Sequence, residues 1–327
     1  MACFSVASAL LALTVAASAT QQVFKSGVDA VIIPVAVRSG NKPVTGLTVA
    51  DFELRDSGVV QEIRSVEAES IPIDVTLLLD LSSSVDGPML LRLKTAVADT
   101  AALLRSDDRI RLVAISQVLR EVFSLRPNGE AMPLDTLAAE GATSLYDGIA
   151  ATMMRATPPG RRQLIVAFSD GRDSTSIIDE KNLREIARLT DAVVDIVVPV
   201  SGTRGDANVR RLAQRNTVDS LQTGENVNLG GRGSTGDGTV PPVLAELVGP
   251  TSGQVFQLGT DDSISHVFKA MLDDFRASYV LQYVPRGVPA EGWHEVSVAV
   301  KKHPKYEIRA RKGYKGRSKI TVSEVRR

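Results

Sequence analysis

Cysteine is almost missing from this chain: the sole one among 327 residues is Cys3. It lies in the uncharged N-terminal segment that reads as a signal, too early for a lipid attachment site at the end of an apolar run, so removal of that segment leaves a chain without thiols. Disulfides, cysteine nucleophiles and cysteine metal sites are then excluded, while the compartment stays open because exported proteins can lack disulfides. Net charge is missing too. Lys plus Arg and Asp plus Glu each count 38, which gives no global pull toward nucleic acid or an anionic membrane. No second hydrophobic run approaches the length of a membrane span. The three histidines, His266, His294 and His303, form no H-E-x-x-H or i, i+4 pair, and His294, beside Trp293, reads as packing in the core or at the surface. The G-x-S-x-G elbow of a serine hydrolase is absent.

What is present begins at the N-terminus. No charged side chain occurs before Lys25, and the apolar run 4–17 closes on Ala17-Ser18-Ala19, an A-x-A cleavage pattern. The expectation is a signal peptide over 1–19 and an exported protein, periplasmic or secreted. The basic residues expected ahead of such a run are lacking, which keeps an uncleaved anchor as the alternative.

Segments 28–37, 52–54 and 61–66 are β-branched and apolar and are separated by the turns Asn41-Lys42-Pro43 and Asp56-Ser57-Gly58, so 20–72 reads as a small antiparallel layer. From Asp74 the texture changes. Near-continuous apolar strands at 75–79, 110–115, 164–168, 192–200 and 254–257 alternate with helical spacing at 88–104, 144–156, 179–189, 240–247 and 262–278. That alternation predicts an α/β domain over 73–278 with a doubly wound, mostly parallel sheet whose strands are buried on both faces. Beyond it, strands without helices at 279–284, 294–301 and 306–311 form a C-terminal β segment, 279–316, expected to pack with the N-terminal one; 317–327 is a tail.

The segment 224–238 is rich in Gly, Asn and Ser and reads as a loop inserted in the α/β domain. Its Gly231-x-Gly233-x-x-Gly236 is formally a dinucleotide fingerprint, but it follows no strand and opens no helix, and Asp237 stands where a phosphate loop needs Lys. Arg204-Gly205-Asp206 is a tripeptide common by chance. The basic stretch from Lys301 to Lys315, including Arg309 and Arg311, alternates with Val, Tyr and Ile and reads as a solvated sheet face.

The chemistry concentrates on three turns. Asp80-Leu81-Ser82-Ser83-Ser84 ends the first core strand with a carboxylate and two hydroxyls; Gly141-Ala142-Thr143-Ser144-Leu145-Tyr146-Asp147 leads into a helix; Phe168-Ser169-Asp170-Gly171 ends another core strand. Each has a bland reading, since Asp80 can cap a helix, Thr143 or Ser144 with Asp147 can form a capping box, and Asp-Gly is an ordinary turn. Asp147 is assigned to capping, and Asp86 and Asp173 to the loop surface. Jointly, oxygens at the carboxyl ends of adjacent parallel strands can converge in the crevice there.

These turns, in this order, resemble the D-x-S-x-S, GGT-x-LYD and T-D-G segments of von Willebrand factor type A domains, with Ala142 and Ser169 as departures that remove no ligand oxygen. The resemblance covers 73–278. Val44-Thr45-Gly46-Leu47 with Asp51-Phe52-Glu53, Tyr279-Val280-Leu281-Gln282-Tyr283 and Arg311-Lys312-Gly313-Tyr314 are similar to the flanks of a group of exported bacterial relatives. It implies a metal-ion-dependent adhesion site holding one cation through Asp80, Ser82, Ser84, Thr143 and Asp170. Ser82 and Ser84 would coordinate directly, with Thr143 a candidate for the same, while Asp80 and Asp170 act largely through water. Hard oxygens with only two carboxylates suit Mg²⁺ or Mn²⁺. The open coordination position implies a protein partner presenting an acidic side chain, hence a non-enzymatic binding module. A scaffold with a vestigial site and a metal-assisted hydrolase are the alternatives, the latter lacking a histidine base on the three turns.

Overall fold

The computed structural model describes residues 30–40, 42–68, 70–85, 87–199, 240–259 and 262–316. The expected signal at 1–19, Cys3, Asp86, the Arg204-Gly205-Asp206 tripeptide, the glycine-rich 224–238 and the tail 317–327 lie outside the described residues.

The chain enters through β1 (Val31–Ser39) and the short β2 (Lys42–Pro43), then β3 (Phe52–Asp56), β4 (Val59–Gln61) and β5 (Ile63–Glu67). The β3–β4 link has only Ser57 and Gly58 at its centre, at φ 48° and 83°. Positive φ at both positions is what a two-residue hairpin needs to match the strand twist.

The α/β domain then alternates: β6 (Ile73–Asp80), α1 (Gly87–Ala102), β7 (Arg109–Ile115), β8 (Leu119–Pro127), α2 (Leu145–Met153), β9 (Arg162–Phe168), α3 (Glu180–Leu189), β10 (Val193–Pro199), α4 (Pro242–Val248), β11 (Val255–Leu258) and α5 (Ile264–Ala277). Sheet order is β11-β10-β9-β6-β7-β8, parallel throughout except for β8, which runs antiparallel on β7. Every residue of β6 and β9 is buried. Pleating divides them between two cores: Leu77 and Leu79 join the side of α1 and α5, whereas Leu78 joins the side of α2, α3 and α4. This is the doubly wound architecture that the alternating pattern predicts. The edge strand β8 was not anticipated. Only Phe123 of its residues is buried, and Arg120, Glu121 and Arg126 give it the charged look of a protected edge rather than an apolar run.

The remaining strands are β12 (Tyr279–Tyr283), β13 (Gly292–Val300), β14 (Glu307–Ala310) and β15 (Gly313–Gly316). They interleave with the N-terminal ones in two antiparallel sheets, β14-β1-β12-β5 with β2 beside β1, and β15-β13-β3-β4. Between them lies a third core of Ile33, Val35, Phe52, Leu54, Leu281, Tyr283 and Val296. Asp56 is fully buried there and accepts hydrogen bonds from Tyr283 Oη at 2.8 Å and Tyr314 Oη at 2.7 Å, with His294 Nδ1 at 2.8 Å. Burial works to raise the Asp56 carboxyl, but these three partners outweigh it and hold it below the ordinary range. His294 is thus a core residue, stacked on Tyr314 with ring centroids 4.6 Å apart.

Within the α/β domain, buried Arg162 of β9 anchors the end of α5, reaching the Phe275 and Ser278 carbonyls at 2.9 and 3.2 Å and sitting 4.1 Å over the Phe275 ring. The two units meet through other cations. Arg309 Nη2 lies 2.6 Å from Asp274 of α5, and Arg38 of β1 pairs with the same carboxylate. Arg311 pairs with Asp191 at 2.7 Å. The reading of 301–315 as a solvated face therefore needs correction at Arg309 and Arg311. Spaced by two, they emerge on one side of the chain, and that side faces the α/β domain, which supplies their carboxylates.

Candidate metal centre

Asp80 closes β6 at the carboxyl end of the sheet and is 2% exposed. Its Oδ1 accepts the Ser82 N–H at 3.0 Å and its Oδ2 accepts the Ser169 hydroxyl at 2.8 Å. The alternate serines of the turn face each other, Ser82 Oγ to Ser84 Oγ at 3.0 Å, the former buried and the latter exposed. The D-x-S-x-S spacing thus places a carboxylate below a pair of hydroxyls, with one hydroxyl open to solvent.

The second turn is stitched directly onto the first. Glu140 N–H donates to Leu81 O at 2.8 Å and Ser83 N–H to Gly141 O at 3.1 Å. Gly141 has φ +75°, a backbone conformation that favours glycine, whereas the nearest atoms a Cβ would meet belong to the flexible, exposed side chain of Gln117. Two residues on, Thr143 is buried, and its carbonyl accepts the N–H groups of Ser174 and Thr175 at 2.9 and 3.2 Å.

The third turn leaves β9. Ser169 Oγ, besides donating to Asp80, accepts the Gly171 N–H at 3.0 Å. Asp170, part exposed, takes the Arg172 N–H on Oδ1 at 3.0 Å, and the Arg172 Nε lies 3.7 Å from its Oδ2. Gly171, at φ +82°, packs so closely that a Cβ would fall 2.4 Å from Pro241 Cγ.

The two neighbouring acids do not do what the sequence suggested. Ser144 is the N-cap of α2 but makes no side-chain cap bond. Asp147 caps nothing; its carboxylate accepts the N–H groups of Ile177 at 3.0 Å and Ile178 at 2.9 Å in the loop after β9. Asp173, assigned to the surface, accepts the Tyr146 N–H at the start of α2 at 3.2 Å. The capping role has passed across the two loops, and the reciprocal pair braces the second turn against the third. Sequence offsets within α2 could not reveal this, because each partner lies about thirty residues away. Ser169 is the other residue whose role the sequence does not show: its hydroxyl joins the Asp80 and Asp170 turns.

Burial is the main cause that raises the Asp80 carboxyl above its ordinary range; Ser169 and Ser82 oppose it as neutral donors, and the negative charge of Asp170 adds to the rise. Two carboxylates that repel one another, beside hydroxyls and a polar turn, form a site that a cation would neutralise. The Ser82–Ser84 oxygen spacing also fits, since adjacent ligands of an octahedral Mg²⁺ lie about 3 Å apart. Among the described residues no three His, Cys, Asp or Glu side chains gather as a metal group, so any cation held here relies on the hydroxyls. Replacing Ser169 by Ala is expected to cost about 1–2 kcal/mol of stability by leaving a buried carboxylate oxygen short of a donor, read from urea denaturation midpoints. An unchanged midpoint would show that Asp80 needs no such support.

No family model matches the chain, and no curated protein matches it. Solved structures do. The von Willebrand factor type A protein from Catenulispora acidiphila is 11% identical, covering 90% of this chain and 65% of that one at a TM-score of 0.46. BatB from Bacteroides thetaiotaomicron is 14% identical over 62% of this chain and 98% of its own, TM-score 0.42. The PilB minor pilin from Streptococcus sanguinis is 12% identical over 63% and 62%, TM-score 0.39. The chain's own architecture is the doubly wound, mostly parallel α/β sheet with its three turns at the carboxyl ends of β6 and β9 and the start of α2, and von Willebrand factor type A structures are among those it is similar to.

Proposed function

We propose that this chain is a divalent-cation-dependent protein-binding module of an exported protein. Mg²⁺ or Mn²⁺ would be held by Asp80, Ser82, Ser84, Thr143 and Asp170, with one position left for an acidic side chain of a partner. The observation that carries it is the joining of the Asp80 turn to the Asp170 turn through one buried hydroxyl, Ser169, beside the paired Ser82 and Ser84 hydroxyls. When bound, the cation would supply a hard Lewis-acidic centre that an exchangeable carboxylate can complete. The chain's own residues would hold that centre: Ser169 and the Ser82 N–H fix both oxygens of Asp80, and the Asp147 and Asp173 braces set the loops that carry Thr143 and Asp170.

A binding role, rather than catalysis, is supported by the company the site keeps. Two of the three histidines, His294 and His303, belong to the β-sandwich, the first committed to Asp56 and the second stacked on Tyr306. Export is supported by the N-terminal 1–19 pattern, and among the described residues no helix is long and apolar enough to cross a membrane.

Titrating MgCl₂ against the protein stripped with chelator should raise its melting temperature saturably, worth about 2.7 kcal/mol at a hundred times the dissociation constant. Asp80→Ala should abolish the response. Identical, flat melting curves for both proteins would refute the cation site.

A further inference from the structure

One positive charge is built into the rim of this site. Gly171, at φ +82°, is packed on Pro241 and Leu244, and the Arg172 N–H is tied to Asp170 Oδ1 at 3.0 Å. The Cα of Arg172 is therefore fixed beside Asp170 whatever its side chain does. Its side chain is 61% exposed, with the guanidinium Nε 3.7 Å from Asp170 Oδ2. Asp173 and Asp147 have other partners, the first accepting from the Tyr146 N–H and the Ser176 hydroxyl and the second from the Ile177 and Ile178 N–H groups.

We propose that Arg172 is an internal counter-ion that competes with the divalent cation for Asp170 and so sets the affinity of the site. This rests on the cation-site reading above. Without the cation, the guanidinium neutralises Asp170 and eases the repulsion between Asp170 and Asp80. A cation arriving on the hydroxyl side must draw Asp170 away from it and stand near the positive charge of the guanidinium. Because the pair is exposed, its own strength is small and salt-sensitive. The device trims affinity rather than blocking the site. Once displaced, the guanidinium remains at the rim with its planar donor fork free for an incoming carboxylate, so the same residue that weakens cation binding would favour an acidic partner.

Calorimetric titration of MgCl₂ into the chelator-stripped protein tests this with Arg172→Ala, Arg172→Lys and Arg172→Glu, at about 20 mM and about 500 mM KCl, which bracket weak and strong screening. At low salt Arg172→Ala should bind Mg²⁺ about threefold tighter than the unaltered protein, and Arg172→Glu tighter still. Arg172→Lys should stay near the unaltered value, and the gap for Arg172→Ala should close at high salt. A side chain so exposed should leave the melting temperature of the stripped protein unmoved in all three, which separates a change of fold from a change of affinity. If Mg²⁺ binds the unaltered protein and Arg172→Ala equally, or binds Arg172→Ala more weakly, the counter-ion role is overturned while the cation site stands. If Mg²⁺ binds none of the four proteins, the cation site itself fails and the counter-ion role with it.

Discussion

Asp274→Ala should lower the unfolding free energy by about 2–3 kcal/mol. Asp274, 8% exposed near the end of α5, receives Arg309 of β14 at 2.6 Å, Arg38 of β1, and Gln254 Nε2 at 3.3 Å. Breaking a fully buried pair from one side costs about 3–5 kcal/mol, because the partner is left charged and desolvated. Here the two arginines are 17% and 23% exposed, so water recovers part of that cost and the lower figure applies. Asp274→Asn keeps the shape and a hydrogen-bonding oxygen and should lose less. The measurement is urea denaturation followed by both far-ultraviolet circular dichroism and Trp293 fluorescence. The α/β domain contributes most of the helix signal and Trp293 belongs to the β-sandwich, so a clasp that couples them predicts coincident transitions in the unaltered protein. Separated transitions should appear in Asp274→Ala. An unchanged midpoint with coincident curves would show that the apolar contacts alone join the two units.

The second large effect is a pH dependence with a definite sign. Asp195 of β10 is buried and borders a cavity of about 10 Å³, room for about one water, lined also by Pro34, Ser252, Asp274 and Arg309. Its Oδ1 accepts the Gln254 N–H at 2.9 Å. Burial pushes the carboxyl up from 3.8 to about 7, against the opposing pull of Arg309 and the Gln254 N–H and with Asp274 adding to the rise. Between those values the unfolded chain has released this proton while the folded protein retains it. Stability from this group is thus fully present below about pH 4, falls as pH rises, and is lost once pH passes about 7. At about 1.4 kcal/mol per pH unit the full swing is on the order of 4 kcal/mol. Asp195→Asn keeps the acceptor for Gln254 N–H and removes the titration. Plotted against pH, the difference between Asp195→Asn and the unaltered protein should climb from pH 4 to pH 7 and then level, favouring Asn in the alkaline range. A difference that is flat across that range would mean that Asp195 is ionised throughout.

Those two carboxylates sit in elements the sequence located well, in an interface it did not reveal. Strands β6, β7, β9 and β10 were legible because a strand covered on both faces must be apolar at nearly every position, and such runs have few other readings. Strand β8 was not, because an edge exposes most of its side chains and looks like a loop. The three turns of the candidate centre were legible for a related reason. Each puts its oxygens within a few consecutive residues at the end of a strand or the start of a helix, and in a parallel sheet such ends lie together, while their order carries the resemblance to von Willebrand factor type A domains.

The roles of Asp147 and Asp173, the joining hydroxyl of Ser169, and the burial of Asp56 with His294, Tyr283 and Tyr314 lay beyond that reach. Each depends on a partner between 27 and 258 residues away, for which local pattern carries no information. The same holds for Arg309 and Arg311, whose alternation identified a strand face without saying whether water or a second domain would cover it.

The sequence by itself determined the alternation of strand and helix, the doubly wound class and the position of the three oxygen-bearing turns, because periodicity and capping act over a few residues. Tertiary structure alone decided how those turns are locked together and which charges are buried at the junction of the two units. Those outcomes follow from long-range closure of the chain, where a hydrogen bond or ion pair gains its strength from burial that no local stretch can supply.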